Sequence, residues 1–249
     1  MNFQHHPDIW RRFPQLNACA VWATGIHPNA QAEAALEPLL GQARERIKQA
    51  GGSEGQISSI QAWRRGFSQL GLKPTQYRCA AESLLRRLRQ DGDLPRIFQL
   101  VDTLNALSLA HAIPIAVFDL ERLQGNLEVR LATGTERFIN LSNEEESPEL
   151  GEVVFVDDTG HAHARRWCHR QSARSAVAPS TNEVLIVAEA LHDSASHDIA
   201  KLIAEITNQL AKGFGAMTTR AILSAESPQF TFGSSEETLQ LAQPPIPQK

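Results

Sequence analysis

Residues 94–120, LPRIFQLVDTLNALSLAHAIPIAVFDL, decide how the chain is read. Pro95 is placed to open a helix, where its missing N–H costs nothing, and the strongly apolar run predicts that this helix continues to Ala112. Pro114 then changes the texture: it favours extended backbone, and residues 115–118 (IAVF) form a short apolar strand. A buried helix turning directly into a buried strand sets the expectation of an α and β mixture around one core.

Toward the N-terminus the neighbours are helical. Residues 75–90 place Ala81, Leu84, Leu85 and Leu88 on one face. Residues 57–70 repeat Ile57, Ile60, Trp63, Phe67 and Leu70 near the helical period, with Gly71 as C-cap and Pro74 beyond it. Residues 29–50 read as two helices, with Pro38 restarting the second. Ahead of them, residues 16–23 (LNACAVWA) read as a buried strand. Toward the C-terminus strands dominate. Residues 127–132 (LEVRLA) alternate apolar and charged side chains, and 138–141, 153–156 and 161–166 extend the pattern. Asp157-Asp158-Thr159-Gly160 supplies turn chemistry. Residues 184–188 (VLIVA) form a buried strand, and 199–210 an amphipathic helix. Helices gathered early and strands late predict a mixed α+β fold, a mixed sheet packed with helices, rather than a wound βαβ array. The expected organisation is an N-terminal arm (1–12), one module (13–233), and a disordered Pro- and Gln-bearing tail (234–249).

Composition narrows the function classes. The chain has 249 residues, 42% hydrophobic and 21% charged, with a net charge of −4. That is ordinary for a globular protein and argues against bulk positive charge as the source of nucleic-acid affinity; DNA is not an expected partner. No apolar run reaches the roughly 20 residues that cross a bilayer, and the start lacks a secretion signal. Three scattered cysteines, Cys19, Cys79 and Cys168, read as reduced thiols, so the expected location is the cytoplasm, with no membrane partner.

Several side chains invite chemistry, and each has a plainer reading. Asn105 lies mid-helix among apolar residues, where an amide needs partners; a structural hydrogen bond and a pocket role both satisfy it. Asp102, one turn earlier, reads as an acceptor. Glu189 follows a buried strand, as a solvated charge or as a group receiving an amine or hydroxyl. His161 and His163 share a strand face and His169 follows, but nothing completes a zinc spacing; no metal or other cofactor is expected. Arg165, Arg166, Arg170 and Arg174 surround Trp167, a basic–aromatic cluster suited to phosphate and to stacking on a base. Arg86, with Arg87, Arg89 and Arg64–Arg65, would extend it if the helices pack alongside.

Taken in order, these segments resemble the tRNA-editing domain of the phenylalanyl-tRNA synthetase β subunit. The matching residues are Leu100-Val101-Asp102-Thr103-Leu104-Asn105 and Pro114-Ile115-Ala116-Val117-Phe118-Asp119, then Gly125 with Leu127-Glu128-Val129-Arg130. Gly151-Glu152-Val153-Val154, Asp157-Asp158 and residues 184–191 follow. Lys73-Pro74, Leu84-Leu85-Arg86-Arg87 and Trp167-x-x-Arg170-Gln171 are similar to the free-standing, RNA-binding branch of that family. The resemblance implies an editing-domain-like α/β module with a pocket between sheet and helices that hydrolyses the ester of a mischarged tRNA. It implies Asn105 and Glu189 as pocket residues, with Arg170 orienting the ester or phosphate. Gln171, Trp167, His169, Ala116 and Asp102 would contact substrate, and Arg165, Arg166, Arg174, Arg86 and Lys73 would contact RNA. Two departures stand out: Ala116 replaces a family histidine, and Arg166-Trp167-Cys168-His169-Arg170 replaces a run of small residues. The expected function is therefore trans-acting deacylation of mischarged tRNA, with non-catalytic binding of tRNA or an amino-acid-like ligand as the alternative. Oligomeric state is not legible.

Overall fold

A computed structural model describes residues 1–233; the expected tail, 234–249, lies outside the described residues. The strands are β1 (Asn2–His5), β2 (Asn17–Thr24), β3 (Ile115–Asp119), β4 (Leu127–Leu131), β5 (Arg137–Ile139), β6 (Glu145–Glu146), β7 (Val153–Asp157), β8 (His161–Arg165), β9 (Arg170–Gln171), β10 (Glu183–Ala190), β11 (Met217–Leu223) and β12 (Gln229–Thr231). The helices are α1 (Pro7–Arg12), α2 (Ala30–Ala34), α3 (Leu36–Gln49), α4 (Ser58–Gln69), α5 (Ala80–Asp91), α6 (Gln99–His111) and α7 (Ala195–Phe214).

They form two sheets and a helical layer. The smaller sheet runs β11-β2-β10-β3, antiparallel throughout. The larger runs β12-β1-β4-β7-β8-β5-β6, with β9 paired to β8, and is mixed because β1–β4 and β5–β8 are parallel. Phe118 of β3 and Phe155 of β7 meet across the gap at 5.5 Å between ring centroids, tying the sheets into one core. On the helical side α6 packs against α3, α5 and α7, and α7 packs on β2, β10 and β11. This is the mixed α/β architecture expected from the sequence.

The differences have local causes. Residues 1–12, expected as an arm, are woven into the fold: β1 lies between β12 and β4, and Phe3, His5, Ile9 and Trp10 are buried. The helix expected from 75 starts at Ala80, because Cys79 stays extended and its Sγ caps the amide of Glu82 at 3.4 Å. That expected from Pro95 starts at Gln99, because Asp102 Oδ1 accepts the Ile97 amide at 2.9 Å and Phe98 is extended. β11 was not legible, since this sheet-edge strand exposes residues on both faces and loses its alternation. Gly66 has a packing reason: a Cβ there would lie 2.8 Å from Leu191 Cδ1, so α4 approaches the end of β10 closely.

Candidate functional site

A cavity opens between the two sheets where the β8–β9 turn folds over β3 and β10. It is lined by Ala80, the segment Pro114–Ala116, Phe155, Ala164, Trp167–Gln171, Val187 and Glu189. Its volume is ≈ 60 Å³. Register explains the convergence. Ala116 pairs with Val187 across β3 and β10, and Glu189, two residues on, returns to the same face. β8 and β9 bracket the tight turn 166–169, in which Arg166 (φ 46°) and Trp167 (φ 61°) are both left-handed. Such backbone costs non-glycine residues about 1–3 kcal/mol each and is retained where surrounding packing enforces it. Here the Trp167 amide donates to Val153 O at 2.7 Å, while its indole stacks edge-on against Phe13 and Trp63 at 4.8 and 4.9 Å.

Glu189 is the cavity's carboxylate. One oxygen, Oε1, accepts from Trp167 Nε1 at 2.9 Å and is bonded to His5 Nε2 at 2.7 Å. The other makes no hydrogen bond among the described residues. His169 is the cavity's second titratable group. Its Nδ1 lies 2.8 Å from the Arg78 carbonyl and 3.3 Å from the Arg78 amide; the shorter contact, to a group that only accepts, favours the tautomer with the proton on Nδ1 and a lone pair on Nε2. Burial first, then the cations of Arg166, Arg170 and Arg165, depress its pKa below the usual histidine value, against the pull of the Arg78 carbonyl. The shift favours the uncharged ring.

The remaining polar side chains are committed to protein partners. Arg170 forks onto Glu146 at 3.0 and 3.1 Å, not onto Glu189. Gln171 Nε2 donates to Val117 O. Burial pushes the Cys168 thiol well up, which disfavours its thiolate.

Six of the eight residues expected to act on or hold a substrate thus line one cavity: Glu189, Arg170, Gln171, Trp167, His169 and Ala116. Asn105 and Asp102 do not. They line a separate depression on the helical side, of ≈ 10 Å³, with Leu36, Leu40 and residues 93–96. Asn105 makes no hydrogen bond among the described residues; Asp102 accepts the Ile97 amide just ahead of α6. Amide and carboxylate therefore line different voids.

The expected basic–aromatic surface is corrected in kind. Trp167 is 0% exposed and packed, not presented to a base. Arg165 is buried and bidentate to Glu152 at 3.0 and 2.7 Å, with Glu146 at 2.5 Å. Arg166 pairs with Glu152 at 3.1 Å and lies over the Tyr77 ring. Arg86 and Arg89 both face Glu54, at 3.6 and 2.7 Å. These arginines neutralise buried carboxylates within the fold. Arg174 is half-buried and Lys73 exposed. His163 binds Asp157 at 3.1 Å, and the described residues hold no cluster of three metal-ligating side chains. No described helix is long and apolar enough to cross a membrane.

His5 was missed as a site residue. Its signal was present: Asn2-Phe3-Gln4-His5 alternates with period two, and Phe3 and His5 both face inward. The stretch is too short for alternation alone to identify a strand.

Comparison with known proteins adds three findings. The family model described as "B3/4 domain" matches residues 62–223, which include the cavity-lining strands. A 60-residue segment is 35% identical to the phenylalanine–tRNA ligase beta subunit of Mycoplasma genitalium, covering 24% of this chain and 7% of that protein. Among solved structures, an N-terminal fragment of the phenylalanyl-tRNA synthetase beta subunit from Pyrococcus horikoshii aligns with a TM-score of 0.45 and 10% identity, over 88% of this chain and 53% of that one. This chain corresponds to only part of either relative.

Proposed function

The chain belongs to the B3/4 domain family, related to the phenylalanyl-tRNA synthetase β subunit, and from that premise we propose that its cavity receives the aminoacyl end of a mischarged tRNA and hydrolyses the ester in trans. The observation that carries this reading is the pairing, in one small cavity, of a carboxyl group with an unbonded oxygen and an imidazole whose Nε2 makes no hydrogen bond among the described residues. Glu189 would receive the α-ammonium or a side-chain hydroxyl of the amino acid. His169 Nε2 would hold the attacking water and take its proton as oxygen adds to the ester carbonyl. The carbon–oxygen bond to the ribose then breaks, and the ribose oxygen leaves with a proton returned from the imidazolium. Arg170, at the mouth, would neutralise phosphate by exchanging Glu146 for it. An aminoacyl ester is already activated, so orientation and one base suffice without a covalent intermediate.

Size refines the substrate. A water needs roughly 10–15 Å³ of such space, so ≈ 60 Å³ holds a handful of heavy atoms. The cavity suits a small, polar amino-acid moiety, and the adenosine would remain outside it.

The decisive assay offers a panel of tRNAs, each charged with a different small, aliphatic or aromatic amino acid, and follows release of the free amino acid. Turnover on small polar esters, abolished in His169→Ala, supports the reading; no turnover on any member removes the hydrolase. A second reading, binding without hydrolysis, has its own observation. Arg170 and Gln171 are both occupied by protein partners, and no free donor among the cavity's side chains is aimed at a developing oxyanion. It predicts affinity for aminoacyl-tRNA that falls with salt, and no release.

A further inference from the structure

The matched family segment begins at residue 62, yet the partner of the cavity's carboxylate comes from residue 5. We propose that His5 is a positioning residue: it and Trp167 together lock one oxygen of Glu189 so that the other is presented to the cavity as a fixed anion. This rests on the reading of Glu189 as the recognition group, and it adds a residue from outside the matched segment.

Three features support it. First, both donors converge on the same oxygen, at 2.7 and 2.9 Å. An indole N–H only donates, so Oε1 is an acceptor toward Trp167; with an ionised carboxylate, His5 Nε2 must also carry a proton. One oxygen is then committed and one open.

Second, the imidazole cannot reorient cheaply. It is 1% exposed, with Phe3 edge-on at 5.3 Å and Trp10 of α1 at 5.0 Å. Phe3 and His5 are both held by β1, which is paired on both sides, to β12 and to β4. Strand, helix and ring together aim Nε2 at one point.

Third, the other ring nitrogen is left unpartnered. His5 Nδ1 is buried and has no hydrogen-bond partner among the described residues. A histidine placed only for packing would be replaceable by an apolar residue without leaving such an orphan, which costs about 1–3 kcal/mol. The one polar contact that His5 makes is with Glu189, so retaining an imidazole here has its return at the cavity.

The ligand class follows. A buried carboxyl group with a single open acceptor oxygen suits a hydrogen-bond donor, and the α-ammonium of an aminoacyl group fits.

The test uses the whole chain and a readout independent of turnover. The Trp167 indole N–H, identified in a proton–nitrogen correlation spectrum by its loss in Trp167→Phe, reports directly on the Glu189 oxygen it donates to. His5→Leu is expected to shift that resonance and to weaken binding of a non-hydrolysable 3′-aminoacylamino-adenosine by about tenfold or more. His5→Gln, which keeps a donor at similar reach, is expected to restore most of the loss. On a Glu189→Gln background the His5→Leu change should cost little further, because the residue acts through the carboxylate. If His5→Leu does not fold, His5→Gln and the Glu189→Gln cycle carry the test alone. An unmoved indole signal with unchanged analogue affinity, or an equal loss on both backgrounds, overturns the proposal. Absence of deacylation in wild type, with the indole and affinity effects intact, would instead sink only the hydrolytic reading.

Discussion

Two buried carboxylates in this molecule each hold a buried histidine, and they differ in what they leave over. Asp157, at the β7–β8 turn, is saturated. Its Oδ1 accepts from the Thr159 amide at 2.9 Å, the Thr159 hydroxyl at 2.7 Å and the His161 amide at 3.0 Å, while Oδ2 holds His163 at 3.1 Å. Glu189, on β10, spends one oxygen on two donors, while the other makes no hydrogen bond among the described residues and the residue lines the cavity. Burial and a histidine partner therefore do not mark a site. Residual acceptor capacity beside a void does. Asp157 holds a turn together; Glu189 is equipped to hold something else.

The sharpest way to break this contrast is to delete each carboxylate in turn. Asp157→Ala strands His163 and the turn amides without partners, and loss of one member of a buried pair costs about 3–5 kcal/mol. Chemical denaturation should show that loss, or no folded protein at all. Glu189→Gln keeps an acceptor for Trp167, so stability should change little. Analogue affinity and turnover should fall by about tenfold to a hundredfold, as for a lost charged hydrogen bond. A Glu189→Gln protein as destabilised as Asp157→Ala, with ligand affinity unmoved, would make both carboxylates structural.

Acid titration sharpens it further. Burial pushes the Asp157 carboxyl up, but hydrogen bonds from His163 and Thr159 outweigh it and hold its pKa well below the ordinary aspartate range. Glu136 behaves alike: its burial cost is outweighed by the Thr133 amide and Arg130, and its pKa falls to about 2. A depressed folded-state pKa contributes stability above the unfolded value and loses it as pH falls through the folded one. Stability should thus hold to about pH 4 and drain below it. Activity should fail earlier. His169 must be neutral to accept a proton, and burial sets its pKa below 6.5, so turnover should be flat at neutrality and fall on an acid limb below that value while the fold persists. Parallel pH profiles of turnover and of unfolding check the separation; coincident limbs would deny His169 the role of base.

Arg170 gives a smaller effect. Its pair with Glu146 is about a third exposed on each side and is by itself worth at most about 1 kcal/mol; Glu146 also accepts from the buried Arg165 at 2.5 Å, which keeps Glu152, so Glu146→Gln should cost somewhat more than that. The variant frees the guanidinium, and tRNA affinity at low salt should rise rather than fall. Unchanged affinity would remove Arg170 from the phosphate path.

How much of this was legible depends on range. The strands that line the cavity were readable because β-branched and apolar runs around Pro114–Ala116 and 184–188 announce themselves locally. Glu189, Gln171 and Arg170 were reachable through the ordered resemblance. The His5 contact was not, since it joins residues 184 positions apart through a four-residue strand. The arginines misled for a related reason. A cluster of Arg165, Arg166 and Arg170 reads as a surface until Glu146 and Glu152, brought beside them by β6 and the approach to β7, are seen to neutralise it. Sequence shows the cations but not the distant carboxylates that consume them.

The smallest expected effect tests the resemblance itself. The resemblance implies Asn105 as a pocket residue, yet here it is half-buried on α6, without a hydrogen bond among the described residues, beside Asp102, Leu36 and Leu40. Asparagine is a mediocre helix residue, and alanine at this position removes no bond, so Asn105→Ala should leave stability within about 0.5 kcal/mol or raise it slightly. The cavity around Glu189 shares no lining residue with the Asn105 depression, so analogue affinity and turnover should be those of wild type. A tenfold fall in turnover at unchanged melting temperature would mean that α6 turns its amide toward the substrate in the bound state. The recognition site would then span both sides of the helix, and the contrast between a closed Asp157 and an open Glu189 would describe only half of it.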